Sequence, residues 1–288
     1  MIFISLALIS TTRHKWKIKT IFDLTLLLYL LNLTSRYKEF ISIDDLTEKI
    51  ILITGASSGM GYEMAKELLA HNATIIIASR QGLKLDKAYE ELASSYRDVY
   101  AVPLDVRDEN SIVDASKWFD ENFDHLDMLI NNAGIGDNAP GMDNNNAFFE
   151  IPTDTIKAIV ETNFIGFFMT VSKFIPFILN AGGSIVYVST SDETMTREGQ
   201  LPYGPSKAGS EAMAKIMSKE LKDYSIDVNI LCPGGFTDTG MAGEGVKEFF
   251  QKNNMPILKP TVMNKAILFL ASDESNGTTG EKIIGKDF

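Results

Sequence analysis

Lys49-Ile-Ile-Leu-Ile-Thr54-Gly-Ala-Ser-Ser-Gly-Met-Gly61 is the stretch on which the fold turns. Residues 49–54 are short, apolar and β-branched, as a strand buried on both faces should be. Three glycines follow directly, and then Met60, Met64, Leu68 and Leu69 form one stripe at helical spacing that closes near Asn72. In a strand–turn–helix of this kind Gly55 allows the tight turn, Gly59 lets a pyrophosphate approach the backbone, and Gly61 permits close helix–strand packing. The free N–H groups and the dipole at the helix start favour a phosphate. Alone, three such glycines also serve ordinary tight connections. The rest of the chain must decide.

Working outward, Thr74–Ala78 is a second buried strand, and Val99–Leu104, Met128–Ile130, Ser184–Val188 and Val228–Leu231 read as four more. Helical stretches fall between them, around 83–95, 109–122, 153–180 and 204–223. Strands alternating with helices indicate βαβ units and a parallel sheet covered on both faces. The expected fold is therefore α/β, a doubly wound parallel sheet of Rossmann type, in a single domain over residues 43–288. Gly136–Asn146, rich in Asn, Asp, Gly and Pro, reads as a surface loop.

The composition agrees with a globular chain. Of 288 residues 45% are hydrophobic and 23% charged, enough to bury a sizeable core. The net charge of −11 argues against a nucleic-acid partner. Cys232 is the only cysteine, and His14, His71 and His125 are the only histidines, so no disulfide and no metal site is expected. A reducing, cytoplasmic setting follows.

Residues 1–42 stand apart. They carry +4 against −15 for the remainder, with apolar bursts at Ile2–Ile9 and Ile21–Leu33. Neither burst is long enough for a bilayer span, and a signal peptide fits poorly. A peripheral anchor holding weakly to anionic membranes, an arm docked on the acidic body, and an upstream start codon all remain open. Because the glycine turn begins only at Thr54, fold and chemistry should not need this extension.

Other residues carry chemistry. The second strand ends in Ser79-Arg80, where NAD-binding folds place an acid for the ribose hydroxyls. Arg80 instead suits a 2′-phosphate, which favours NADP while leaving NAD open. Tyr203 and Lys207 are four apart, so on a helix they share a face. A neighbouring ammonium should draw the tyrosine down from its ordinary value near 10 toward acid–base work at neutral pH.

Taken together the motifs resemble the short-chain dehydrogenase/reductase family over roughly residues 45–288. Thr54–Gly61 matches its TGxxxGxG cofactor turn, Asn131-Asn-Ala-Gly134 its NNAG segment, Tyr203-Gly-Pro-Ser-Lys207 its YxxxK pair and Pro233-Gly234 its PG turn. The resemblance implies hydride transfer between a nicotinamide cofactor and a small-molecule carbonyl or alcohol. It implies cofactor contacts from Gly55, Ser57, Ser58, Gly59, Met60 and Gly61. Asp105 and Val106 would meet the adenine, and Asn132, Ala133, Gly134, Pro233 and Gly234 would lie along the cofactor, whose nicotinamide ribose Lys207 would hold. The family's substrate-binding serine falls at Thr190, thirteen residues before Tyr203, with Ser189 and Ser191 as alternatives. Asn163, forty residues before Tyr203, would support a proton-relay water. Thr237 and Thr239 compete for the nicotinamide carboxamide, in a stretch one residue longer than the common form. Residues 135–150 and 240–256 would line the substrate pocket, the second as a lid. Pairing through the helices at 153–180 and 204–223, rich in Phe164, Phe167, Phe168, Phe174 and Phe177, would give a homodimer or homotetramer. Two other readings stay open: a nucleotide-sensing regulatory protein without turnover, and a membrane-surface reductase of a lipidic substrate.

Overall fold

The computed structural model describes residues 45–143, 147–179, 182–241 and 244–288. The extension at 1–42, with its docking on membrane or domain, lies outside these residues. Seven strands are present: β1 (Ile50–Thr54), β2 (Thr74–Ser79), β3 (Val99–Pro103), β4 (Met128–Asn131), β5 (Gly183–Val188), β6 (Ile226–Cys232) and β7 (Lys282–Ile284). All pair in parallel in one sheet, ordered β3-β2-β1-β4-β5-β6-β7. The helices are α1 (Gly59–Ala70), α2 (Leu83–Ala93), α3 (Glu109–Asn122), α4 (Thr153–Val160), α5 (Gly166–Leu179), α6 (Asp192–Thr196), α7 (Tyr203–Glu220), α8 (Glu244–Lys252) and α9 (Asn264–Ala271).

Successive residues of a strand face opposite sides, and here both sides are covered. Ile51, Ile53, Ile75 and Ile77 meet Met64 and Leu68 of α1 and Ile267 and Leu270 of α9. Leu52 and Ile76 point the other way, into a cluster with Phe119 of α3 and Phe174 and Ile178 of α5. This is why β1 and β2 read as unbroken apolar runs rather than alternating ones.

The strand order reverses at β1. The chain winds one way through β2 and β3, then returns to place β4 on the other side of β1. At such a switch point the loops diverge and leave a crevice beyond the carboxyl ends of the strands.

Besides the helices α6, α8 and α9, which the sequence reading did not name, the structure departs from it in two places. It adds β7, which extends the sheet past β6 through Ile230–Lys282, Leu231–Ile283 and Cys232–Ile284 pairs. Three residues are too few for a periodic signal; the edge of β6 makes this a strand. Secondly, the helix expected over 153–180 is interrupted by a π-helical turn at Glu161–Ile165. Such bulges re-aim side chains and often mark functional sites. The whole stretch Thr153–Leu179 is long and apolar enough to cross a membrane by length and composition. Its Phe167, Val171, Phe174 and Ile178 are instead buried against the sheet.

Candidate active site

A cleft of about 440 Å³ lies beyond the carboxyl ends of β1, β2, β4, β5 and β6. The turn after β1 forms its floor. Gly55 has φ +68°, and a Cβ there would fall 2.8 Å from Ala133 Cα. A Cβ on Gly61 would strike the Asn132 side chain and sit 2.8 Å from the Gly55 carbonyl oxygen. Asn132 Nδ2 donates to the carbonyls of Thr54 (2.9 Å) and Gly55 (3.1 Å), and Thr54 Oγ1 accepts from the N–H groups of Asn132 and Ala133 at 3.1 Å. The ends of β1 and β4 are thereby fastened into one backbone surface.

Ser57 Oγ lies 3.0 Å from Ser79 Oγ, joining that turn to the end of β2. Ser58 caps α1 with extended backbone, but no side chain covers the first N–H groups and no acid stands in the first turn. Free N–H groups, a positive helix end and a glycine floor fit a pyrophosphate. Ser57, Ser58, Gly59 and Met60 line the cleft there, while Gly61 stands beneath it, where its lack of a side chain matters for packing.

The end of the cleft beyond β2 and β3 holds three cations, Arg80, Lys84 and Arg107. Arg80 makes no ion pair among the described residues. Asp105 also lines the cleft, but its carboxylate is taken by Arg107. Nη2 lies 3.0 Å from Oδ2, Nε 3.3 Å from Oδ1, and the Arg107 N–H donates to Oδ1 at 3.0 Å. Burial pushes the Asp105 carboxyl up, yet the Arg107 contacts outweigh it and leave the group below its ordinary value. Arg107, two residues past Asp105, is a cleft residue that the sequence reading missed. Its proximity to Asp105 was the available signal.

The other end gathers Tyr203, Lys207, Thr190 and Ser189. Tyr203 opens α7. Lys207 Nζ donates to the Val188 carbonyl at 2.9 Å and lies 4.9 Å from the Tyr187 ring centre and 5.9 Å from that of Tyr203. Burial lowers Lys207 to about 8, with Glu211 opposing the change. Burial likewise raises Tyr203 above its ordinary value; Asp137 adds to this, and the Thr190 hydroxyl works against it. This corrects the expectation that Lys207 draws the phenol down. Desolvation is the largest influence on the phenol, and Lys207 Nζ stands 5.9 Å from its ring centre.

The three hydroxyls at 189–191 separate cleanly. Ser191 caps α6, its Oγ accepting from the Thr194 N–H at 3.2 Å. Thr190 and Ser189 line the cleft, and Ser189 Oγ is buried without a hydrogen-bond partner among the described residues.

Asn163 sits behind the wall. Its Oδ1 accepts from the Ile135 N–H at 2.9 Å, and its Nδ2 donates to the Ile135 carbonyl at 2.9 Å and to Ser206 Oγ at 3.0 Å. Its carbonyl accepts from Ser210 Oγ at 2.8 Å. Asn163 thus braces the exit of β4 against α7, and the π turn delivers it there.

Val106, Ala133, Gly134, Pro233, Thr237 and Thr239 all border the cleft. Gly234 does not. It has φ +85°, and a Cβ would lie 2.5 Å from Ile284 Cγ2, so it serves the packing of β7. Thr239 covers Gly59, where a Cβ would meet its side chain at 3.5 Å, whereas Thr237 is buried beside Gly235. From 135–150 the wall receives Gly136, Asp137, Asn138 and Pro140, and from 240–256 Met241, Val246 and Phe250. Arg197 and Gln200 on the α6–α7 segment were not foreseen. Among the described residues no group of three or more His, Cys, Asp or Glu side chains could hold a metal ion.

Residues 49–248 match the family model of the short chain dehydrogenases. The chain belongs to that family. This short-chain dehydrogenase is 31% identical over 246 residues to the 3-oxoacyl-[acyl-carrier-protein] reductase FabG of Thermotoga maritima, covering 83% of this chain and 96% of that one. Among solved structures it resembles a short chain dehydrogenase of Shigella flexneri 2a complexed with NADP, at 25% identity and TM-score 0.75, covering 85% and 100% of the two chains. It also resembles a 3-oxoacyl-[acyl-carrier protein] reductase of Brucella melitensis with bound NAD, at 25% identity and TM-score 0.73, covering 86% and 93%. The short-chain dehydrogenase is accordingly an NAD(P)-dependent oxidoreductase that acts on CH–OH or C=O groups of a small molecule.

Proposed function

We propose that the enzyme reduces a carbonyl compound, or oxidises the matching alcohol, with NADPH favoured and Tyr203 as the acid–base residue. The convergence of Tyr203, Thr190 and Lys207 on the cleft carries this reading. A bound nicotinamide nucleotide supplies or accepts the hydride. Tyr203 gives its proton to the carbonyl oxygen during reduction and recovers it during oxidation. A phenol that burial holds protonated is the form that reduction requires. Thr190 directs its hydroxyl to the same oxygen and favours the phenolate that proton transfer leaves. Lys207, held by Val188, offsets that phenolate and has donors left for ribose hydroxyls.

NADPH preference rests on Arg80, supported by Lys84 and Arg107, where no free acid would repel a 2′-phosphate. Thr237 serves the carboxamide, since Thr239 covers the phosphate turn. Self-association rests on Phe164, Phe168 and Ile216, which remain exposed, whereas Phe167 and Phe174 belong to the core. A cytoplasmic location, with a weak hold on anionic membranes through residues 1–42, completes the proposal on sequence grounds.

The deciding experiment is Tyr203→Phe. Turnover of NADPH with an accepted carbonyl substrate should nearly vanish while NADPH binding persists; retained turnover would remove Tyr203 from the mechanism.

A further inference from the structure

A buried ion pair stands one helical turn behind Lys207. Glu211 follows Lys207 by four residues on α7, so the two side chains leave the same face of the helix. Glu211 is only 6% exposed, a setting in which an unpaired carboxylate is strongly disfavoured. Its partner arrives from the far end of the chain. Lys282 Nζ, on the edge strand β7, lies 2.8 Å from Glu211 Oε1 and 2.6 Å from Asp192 Oδ1. One ammonium thus joins three elements: α7, which carries Tyr203 and Lys207; α6, which begins two residues after Thr190; and β7. An apolar side chain at position 211 would fill the same space without any charge to neutralise. The charge therefore calls for a reason, and the reason lies one turn away.

We propose that Glu211 and Lys282 are positioning residues for the Tyr203–Lys207–Thr190 site: their pair holds the Thr190 segment against α7 and sets the Glu211 carboxylate one turn behind Lys207. The inference rests on the role given to Lys207 above. Among the described residues, Glu211 is the anion on Lys207's own helix face. Tyr187 of β5 lies under Nζ, Tyr203 lies beside it, and Val188 accepts its hydrogen bond. Lys282 of β7 pairs with Glu211 and with Asp192 of α6, and Asp137, after β4, acts on Tyr203. Burial drives Lys207 toward its neutral form, and Glu211 opposes that. Lys282 moderates the opposition by screening the carboxylate.

This arrangement makes two single substitutions act in opposite directions, which a purely structural pair would not do. In the full chain labelled with ¹³Cε-lysine, Lys207 can be assigned by the signal missing from Lys207→Met and titrated by NMR. Glu211→Gln should move the Lys207 midpoint to lower pH, and Lys282→Met should move it to higher pH, each by about tenfold in the acid dissociation constant. The alkaline limb of kcat/KM should move the same two ways, and Lys282→Arg should restore both. If Glu211→Gln does not fold, Glu211→Gln/Lys282→Met removes both charges and should still show the lower midpoint. Shifts in one common direction, or an unmoved Lys207 with only a lower Tm, would overturn the proposal. A wild-type protein inactive toward every carbonyl would instead refute the functional reading, because the NMR titration does not depend on turnover.

Discussion

Lys207 Nζ donates to the carbonyl oxygen of Val188 at 2.9 Å, so the active-site helix is tied to the last residue of β5 just before the Ser189–Thr190 wall. The bond fixes where the ammonium points. It stands over the Tyr187 ring and beside Tyr203, with donors left over. At 3% exposure Lys207 cannot swing into solvent, and its charge depends on a balance between burial and Glu211.

Activity should therefore fall on the alkaline side. Lys207 is charged below about 8 and neutral above it. As pH rises through that value, the support for the phenolate and for the ribose hydroxyls is lost together. A profile of kcat/KM for NADPH, which reports the free enzyme, should decline above about 8. Lys207→Met should lower kcat about 100-fold or more at every pH and abolish this limb. A limb that survives in Lys207→Met would belong to another group.

Cofactor choice should respond to Arg80 more than to Arg107. Arg80 makes no ion pair among the described residues, whereas Arg107 is partly neutralised by Asp105. Arg80→Ala should weaken NADPH relative to NADH by roughly 1.5–3 kcal/mol, the contribution of one charge-assisted hydrogen bond. Arg107→Ala should cost less and release the Asp105 carboxylate into the cleft. Isothermal titration with both cofactors checks the order of the two variants; equal Kd values for NADPH and NADH in the wild type would remove the argument.

Thr190→Ser should keep most of the turnover, because the hydroxyl remains. Thr190→Val keeps the shape but removes the donor, and should reduce kcat about 100-fold with the Kd for NADPH little changed. Full activity in Thr190→Val would point to Ser189, whose buried hydroxyl has no hydrogen-bond partner among the described residues.

Gly61→Ala should damage cofactor binding and stability together. The new methyl meets the Asn132 side chain and the Gly55 carbonyl, both of which hold the turn. Overpacking of this kind typically costs about 1–3 kcal/mol, readable as a lower Tm and a higher Kd for NADPH. Unchanged values of both would show that the turn can yield.

Phe168→Glu tests the self-association. Phe168 is 53% exposed on α5, so a charge there costs the monomer little. Sedimentation should show a dimer or tetramer in the wild type and a smaller species in the variant. A wild-type monomer at micromolar concentration would refute the assembly.

Local sequence was enough for β1, the glycine turn and α1, because each is dictated by short-range sterics: apolar runs, a positive φ and a helical stripe. It was also enough for the shared face of Tyr203 and Lys207, which follows from their spacing on one helix. What lay beyond it depends on distant parts of the chain meeting. The clamp of Arg107 on Asp105 is local in sequence, yet what it does to a cofactor site appears only once both residues line the same cleft as Arg80. The brace from Asn163 to Ile135 needs the π turn, and the strand at Lys282–Ile284 needs the edge of β6. The proton affinities are the clearest case. Sequence spacing placed an ammonium beside a phenol and implied that the phenol is drawn down. In the fold desolvation is the largest influence on each group, moving the phenol up and the ammonium down. Periodicity and turn sterics are written residue by residue; desolvation belongs to the folded molecule alone.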